Sequence, residues 1–138
     1  MGRHDHHAHR AARGPALSAA WGSWLAFAVA SAAGAVLRFG IDSALARRAT
    51  GDFPRGTLVV NLLGSLALGL LVGGQAPDRM LFIAGTGFCG AFTTFSTFSY
   101  QTVLLVHDGE ASTALRNVAV TAVGCLGAVA AGIALASG

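Results

Sequence analysis

The sequence predicts an all-α integral membrane protein with four transmembrane helices, and three observations carry that prediction. Apolar residues make up 54% of the 138-residue chain and charged residues only 11%, with a mean hydropathy of +0.62. A soluble domain carries about a quarter charged residues. Apolar stretches run from Leu17 to Leu37, Gly56 to Gly74, Met80 to Val106 and Val118 to Ala136. Each suffices for the about twenty helical residues that cross a hydrocarbon core ~30 Å thick, and none alternates with the period of a strand.

Residues 1–16 form a tail rich in histidine and arginine, with His4, His6, His7 and His9 close together. Imidazoles can bind a transition metal, but the composition builds no core, and a disordered, solvated tail is the favoured reading. The apolar run that follows is too long for a signal-peptide core. Residues 17–138 are therefore assigned to one transmembrane domain.

Trp21 and Trp24 near the start of the first helix suit the headgroup interface. Arg38 ends that helix, where it either snorkels to the interface or concentrates anions at a vestibule by its field. The loop from Arg47 to Arg55 leads to the second helix, with Pro54 at its start. Asn61 is the buried polar group of that helix: it bridges two helices, or its amide donates to a ligand. Pro77 punctuates the next short loop. In the fourth helix, Asn117 and Thr121 lie four apart and share a face.

The third helix is unlike the others. Gly85, Gly87 and Gly90 weaken it, and the run Thr93-Thr94-Phe95-Ser96-Thr97-Phe98-Ser99-Tyr100-Gln101 interleaves hydroxyls with rings. The glycines alone fit either a packing face or a break. The threonines and phenylalanines that follow favour a break mid-membrane, where freed backbone groups line a cavity or hold an ion. Phe95 and Phe98 are three apart on one face, and Phe88 and Phe92 extend the stripe upstream. Phenyl edges carry partial positive charge and hydroxyls donate hydrogen bonds, so the run can line a path for a small anion without burying a cation.

All nine basic residues are arginines, and they flank the apolar stretches rather than forming a patch, which argues for membrane-edge anchoring and against nucleic acid. Cys89 and Cys125 lack metal or disulfide spacing and read as buried thiols. No Asp, Glu, His or Lys falls clearly within an apolar stretch. A proton-coupled pump needs such a group in the membrane, and catalysis needs a nucleophile with its base, so passive conduction is favoured over both. A small multidrug exporter lacks its carboxylate here; a membrane assembly protein without conduction is the other alternative. Arg3, Arg10, Arg13 and Arg79 on one side nearly balance Arg38, Arg47, Arg48, Arg55 and Arg116 on the other. Balanced charge orients a chain weakly, so insertion both ways and an antiparallel dimer are expected.

The segment Gly87-Phe88-Cys89-Gly90-Ala91-Phe92-Thr93-Thr94-Phe95-Ser96-Thr97-Phe98, with Gly56-Thr57 to Asn61 and Gly34 to Arg38 upstream, resembles the bacterial fluoride channel family (Fluc, also called CrcB). The resemblance runs from about Gly34 to the C-terminus. It implies a dual-topology homodimer in the cell membrane that exports fluoride passively and relieves its toxicity, with two antiparallel pores. It further implies ring edges from Phe95 and Phe98, an amide donor at Asn61, and pathway hydroxyls at Ser96, Thr97 and Thr121. Arg38 falls at the vestibule, and the carbonyls of Gly90 and Thr93 would bind a structural Na+ on the dimer axis. The chain departs from the family's pattern at Gln101, Asn117 and Val59, where Glu, Tyr and Thr are frequent.

Overall fold

The computed structural model describes residues 13–48 and 51–138, with side chains from Trp21 onward. Among the described residues all regular structure is helical. Helix α1 spans Arg13–Ala46 and α2 spans Arg55–Gly73. The third span is composite. A single turn, α3 (Asp78–Met80), runs into a π-helical segment, Leu81–Cys89, which closes as α4 (Gly90–Phe92). After an interruption at Thr93 and Thr94 the chain resumes as α5, Phe95–His107. Helix α6 spans Ala111–Ala136. Among the described residues, 4 helical stretches are long and apolar enough to cross a membrane: Trp21–Ala46, Arg55–Gly73, Asp78–His107 and Ala111–Ala136.

The elements agree with the sequence in number and order and differ at their ends. Helix α1 begins at Arg13, inside the segment expected as a tail; residues 1–12, with their four clustered histidines, lie outside the described residues. Its other end is at Ala46 rather than Arg38, about two turns further on. Nothing in Phe39–Ala46 breaks a helix except Gly40, and a single glycine costs only about 1 kcal/mol. Asp42 is consequently inside a spanning helix, which corrects the expectation that no carboxylate enters one. Helix α6 likewise starts before Val118, because Ala111, Ala114 and Leu115 are good helix formers although their neighbours are polar. Asn117 and Thr121 thus lie within the helix rather than at its start.

The glycines decide how closely the helices approach. A Cβ at Gly132 would lie 2.6 Å from the Leu66 carbonyl oxygen and 2.9 Å from the Gly69 carbonyl carbon. At Gly73 it would lie 2.5 Å from the Ile133 carbonyl oxygen, and at Gly69 it would run into Val129. Gly69 and Gly73 on α2 and Gly132 on α6 therefore lie directly against the facing backbone, and the two helices touch without side chains between them. Gly34 does the same for α1, where a Cβ would lie 3.2 Å from the Phe92 amide nitrogen.

Towards the opposite end of α1, Trp24, Phe27 and Phe82 cluster, the last two stacked with centroids 4.7 Å apart. Phe27 also covers Gly87 in the π-helical segment. Much of the remaining surface is apolar, including Val29, Val36, Leu126 and Leu135, as a lipid-facing surface requires.

Candidate functional site

The interruption in the third span is held open by a side chain from α2. Thr93 and Thr94 adopt extended backbone, with ψ of 162° and 123°. The Thr94 amide donates to Asn61 Oδ1 at 2.8 Å, and Asn61 Nδ2 donates to the Thr94 carbonyl at 3.1 Å. One carboxamide thus replaces both backbone partners that a continuous helix would have given Thr94. Asn61 is 7% exposed, so this pairing satisfies groups largely shielded from water. The bridging reading of Asn61 holds, and Thr94 takes one of the two hydrogens that its amide nitrogen carries.

Each side of the break has its own closure. Thr93 Oγ1 donates to the Cys89 carbonyl at 3.0 Å, tying the threonine back onto the π-helical segment. Thr94 is the N-cap of α5: its Oγ1 accepts from the Thr97 amide at 3.2 Å and donates to Thr97 Oγ1 at 3.0 Å. Gly64 on α2 leaves room for the Thr93 methyl, which a Cβ there would meet.

The break splits the aromatic stripe. Phe88 and Phe92 stay behind as a stacked pair with centroids 5.5 Å apart, and Phe92 is only 5% exposed. These two are core. Phe95 and Phe98 lie beyond the break, tilted at 43° with centroids 5.9 Å apart, and Phe95 is 80% exposed. Both line an open-sided cleft of about 480 Å³, together with Asn61, Gly90, Thr93, Thr94 and Thr121. Leu68, Val118, Ala122, Cys89 and Cys125 make up its apolar wall, and both cysteines are free.

A hydroxyl and amide ladder stands behind the phenylalanines. Thr102 Oγ1 donates to the Phe98 carbonyl at 2.7 Å, Asn117 Nδ2 donates to Thr102 Oγ1 at 2.9 Å, and Thr121 Oγ1 reaches Asn117 Oδ1 at 3.5 Å. Asn117 is 1% exposed. The long last bond leaves the Thr121 hydroxyl hydrogen weakly held, so it can turn towards a ligand in the cleft.

Of the residues singled out from sequence, the cleft gathers Asn61, Phe95, Phe98, Thr121, Gly90 and Thr93. Ser96 and Thr97 do not line it; Ser96 Oγ lies 3.3 Å from Thr94 Oγ1, and the Thr97 hydroxyl serves the cap. Arg38 also lies outside it, half-buried on α1 with Nε unpartnered. Two participants have roles that the sequence reading did not assign. Thr94 was visible as an N-cap by its spacing to Thr97, whereas Thr102 gave no signal, since only the packing of α5 on α6 brings it to Asn117.

The donor set at the break also suits a hard cation. The Thr94 amide, which would close the next helical turn on the Gly90 carbonyl, is turned to Asn61 instead. Gly90 is exposed, with open space where a Cβ would stand. A second cavity, about 400 Å³, lies between Asp52, Pro54, Gln101, Leu104, Leu105, Asp108 and Glu110. Its acidic lining disfavours anions, and buried Gln101 Oε1 has no partner.

A family described as "CrcB-like protein, Camphor Resistance (CrcB)" matches residues 25–133. The chain is 49% identical over 102 residues to "Fluoride-specific ion channel FluC 1" of Nocardia farcinica, covering 74% of this chain and 72% of that one. It is 42% identical over 123 residues to "Fluoride-specific ion channel FluC 1" of Frankia casuarinae, covering 83% and 95%. To the protein of the same name in Thermobifida fusca it is 42% identical over 107 residues, covering 78% and 89%. The matched region takes in α2, the helix break, the ring pair beyond it and most of α6, and the chain accordingly belongs to the CrcB family of membrane proteins.

Proposed function

We propose that this chain is a fluoride-selective ion channel of the bacterial plasma membrane, which lets fluoride leave the cytoplasm passively and so relieves its toxicity. One observation carries the reading. Asn61, Phe95, Phe98 and Thr121 converge on a cleft that contains no ionisable side chain apart from two thiols. Donors without full charge can replace the water around a small halide while leaving it free to move on, which conduction requires. The remaining Asn61 hydrogen, the Thr121 hydroxyl and the two ring edges supply such donors. Relatives at 42–49% identity carry the name of a fluoride-specific channel. With no titratable couple in the cleft, conduction is preferred to pumping or catalysis.

The conducting form is an antiparallel, dual-topology homodimer. The near balance of arginines on the two sides of the membrane supports it, as does Phe95, which has little to face within one chain. A second copy packed on the cleft would enclose Phe95 and turn an open groove into a passage, with the interrupted helix at mid-membrane. The carbonyls of Gly90 and Thr93 would hold Na+ between the copies. When bound, the ion supplies positive charge to helix ends whose carbonyls are otherwise unpaired. Arg38 is assigned to the vestibule and Ser96 and Thr97 to the edge of the passage, behind the residues that line the cleft.

The test is fluoride efflux from proteoliposomes containing this protein alone, followed with a fluoride electrode. Rapid efflux with chloride retained is the expected outcome, and vesicles that keep their fluoride refute the reading. In intact cells, a cysteine placed at either end should be labelled from outside in about half the copies. Four spans put both ends on one side of the membrane, so labelling of every copy or of none rules out dual topology.

A further inference from the structure

Asp42 is a carboxylate set more than a turn inside a spanning helix, and nothing above uses it. It sits in the last turns of α1, where a negative charge opposes the dipole of its own helix. Its surroundings explain why it is there. Thr57 Oγ1, on a residue only 2% exposed, donates to Asp42 Oδ1 at a long 3.5 Å. The carboxylate also overlies Gly56, where a Cβ would fall 2.9 Å from the Asp42 Cα and would collide with Oδ1. Gly56 and Thr57 belong to the first turn of α2, and the residue that should cap that helix, Pro54, offers no side-chain bond. The first amides of a helix are unsatisfied and carry partial positive charge. An acidic oxygen from the neighbouring helix therefore stands where a cap is missing. Charged neighbours are Arg38, four residues back on the same helix, and Arg55 at the start of α2.

We infer that Asp42 is a positioning residue for the ion pathway: it caps α2 from outside and so fixes where Asn61 meets Thr94. The route is short. Thr57 and Asn61 are four apart on α2 and share a face. Asn61 makes the paired bonds that hold the break open. If the first turn of α2 frays, Thr57 and then Asn61 lose their fixed register against the break. The inference rests on the channel reading for its functional consequence, but the capping geometry can be tested without it.

The experiment compares Asp42→Ala, Asp42→Asn and Thr57→Val with the wild-type chain in proteoliposomes. It reads fluoride efflux per assembled protein and, separately, amide hydrogen exchange at residues 56–58 and at Thr94. Asp42→Ala is expected to lower efflux by roughly fivefold, the equivalent of one lost cap, and to speed exchange at both places. Asp42→Asn should stay within about twofold of wild type, since asparagine caps a helix as well as aspartate does. Thr57→Val should act in the same direction as Asp42→Ala, with less than additive effect when the two are combined. Three results overturn the inference: Asn as damaging as Ala, which means the charge itself is used; unchanged efflux in Asp42→Ala; or faster exchange at residues 56–58 with Thr94 still protected. Should the wild-type protein not conduct at all, the channel reading fails, and the exchange measurements still decide whether Asp42 holds Asn61 in register. If Asp42→Ala does not assemble, Asp42→Asn and Thr57→Val carry the test.

Discussion

Asn61→Leu should unfold the break. Leucine matches asparagine in size but leaves the Thr94 amide and carbonyl without partners in a buried setting. Each unsatisfied group costs about 1–3 kcal/mol, so the loss is roughly 2–6 kcal/mol, measurable as a lower denaturation midpoint of the purified protein in detergent. Fluoride efflux should fall with it. Asn61→Asp separates the two roles. A carboxylate still accepts from the Thr94 amide but cannot donate to its carbonyl, and it places a negative charge on the cleft. Slower efflux is expected even where the protein remains assembled; faster efflux would count against an anion passing that residue.

Phe95→Ile and Phe98→Ile test the rings rather than the scaffold. Phe95 is largely exposed in the single chain, and Phe98 is bonded to its surroundings through its carbonyl, which any residue retains. Neither substitution should therefore change folding by more than about 1 kcal/mol. Isoleucine keeps apolar bulk but has no quadrupole and hence no electropositive edge. Near abolition of fluoride efflux, with an unchanged elution profile of the purified protein, is the expected result. Full efflux in both variants would show that the passage avoids the rings. A graded loss, larger at one position, would locate the narrower contact.

How much of this was legible in the sequence depends on the range of the interaction. Spans are local: twenty apolar residues declare themselves, and so do the prolines at 54 and 77 that precede α2 and α3. The break was legible because glycines, threonines and rings crowd one segment. Its location was less so, since the glycines went into a π-helical segment and the threonines formed the interruption. The extent of α1 was not legible. Hydropathy ends at Arg38, but the helix continues because Asp42 has somewhere to go, and that place is made by Gly56 and Thr57 on another helix. Thr102 was hidden for the same reason, its partner Asn117 being far away in sequence. Ser96 and Thr97 looked like lining because their type fits an anion; the geometry shows that the same hydroxyls also fit a cap.

The bare seam between α2 and α6 has a consequence for how the protein can vary. Where Gly69, Gly73 and Gly132 meet the facing backbone, nothing intervenes that could adopt another rotamer or shrink to absorb an error. The gap is metered by hydrogen atoms alone. Even a methyl group inserted there must push α2 aside as a rigid rod, and the displacement is delivered two turns away, at the carboxamide that grips the interrupted strand of chain. Tolerances at the pore are in this way set by residues that never see an ion.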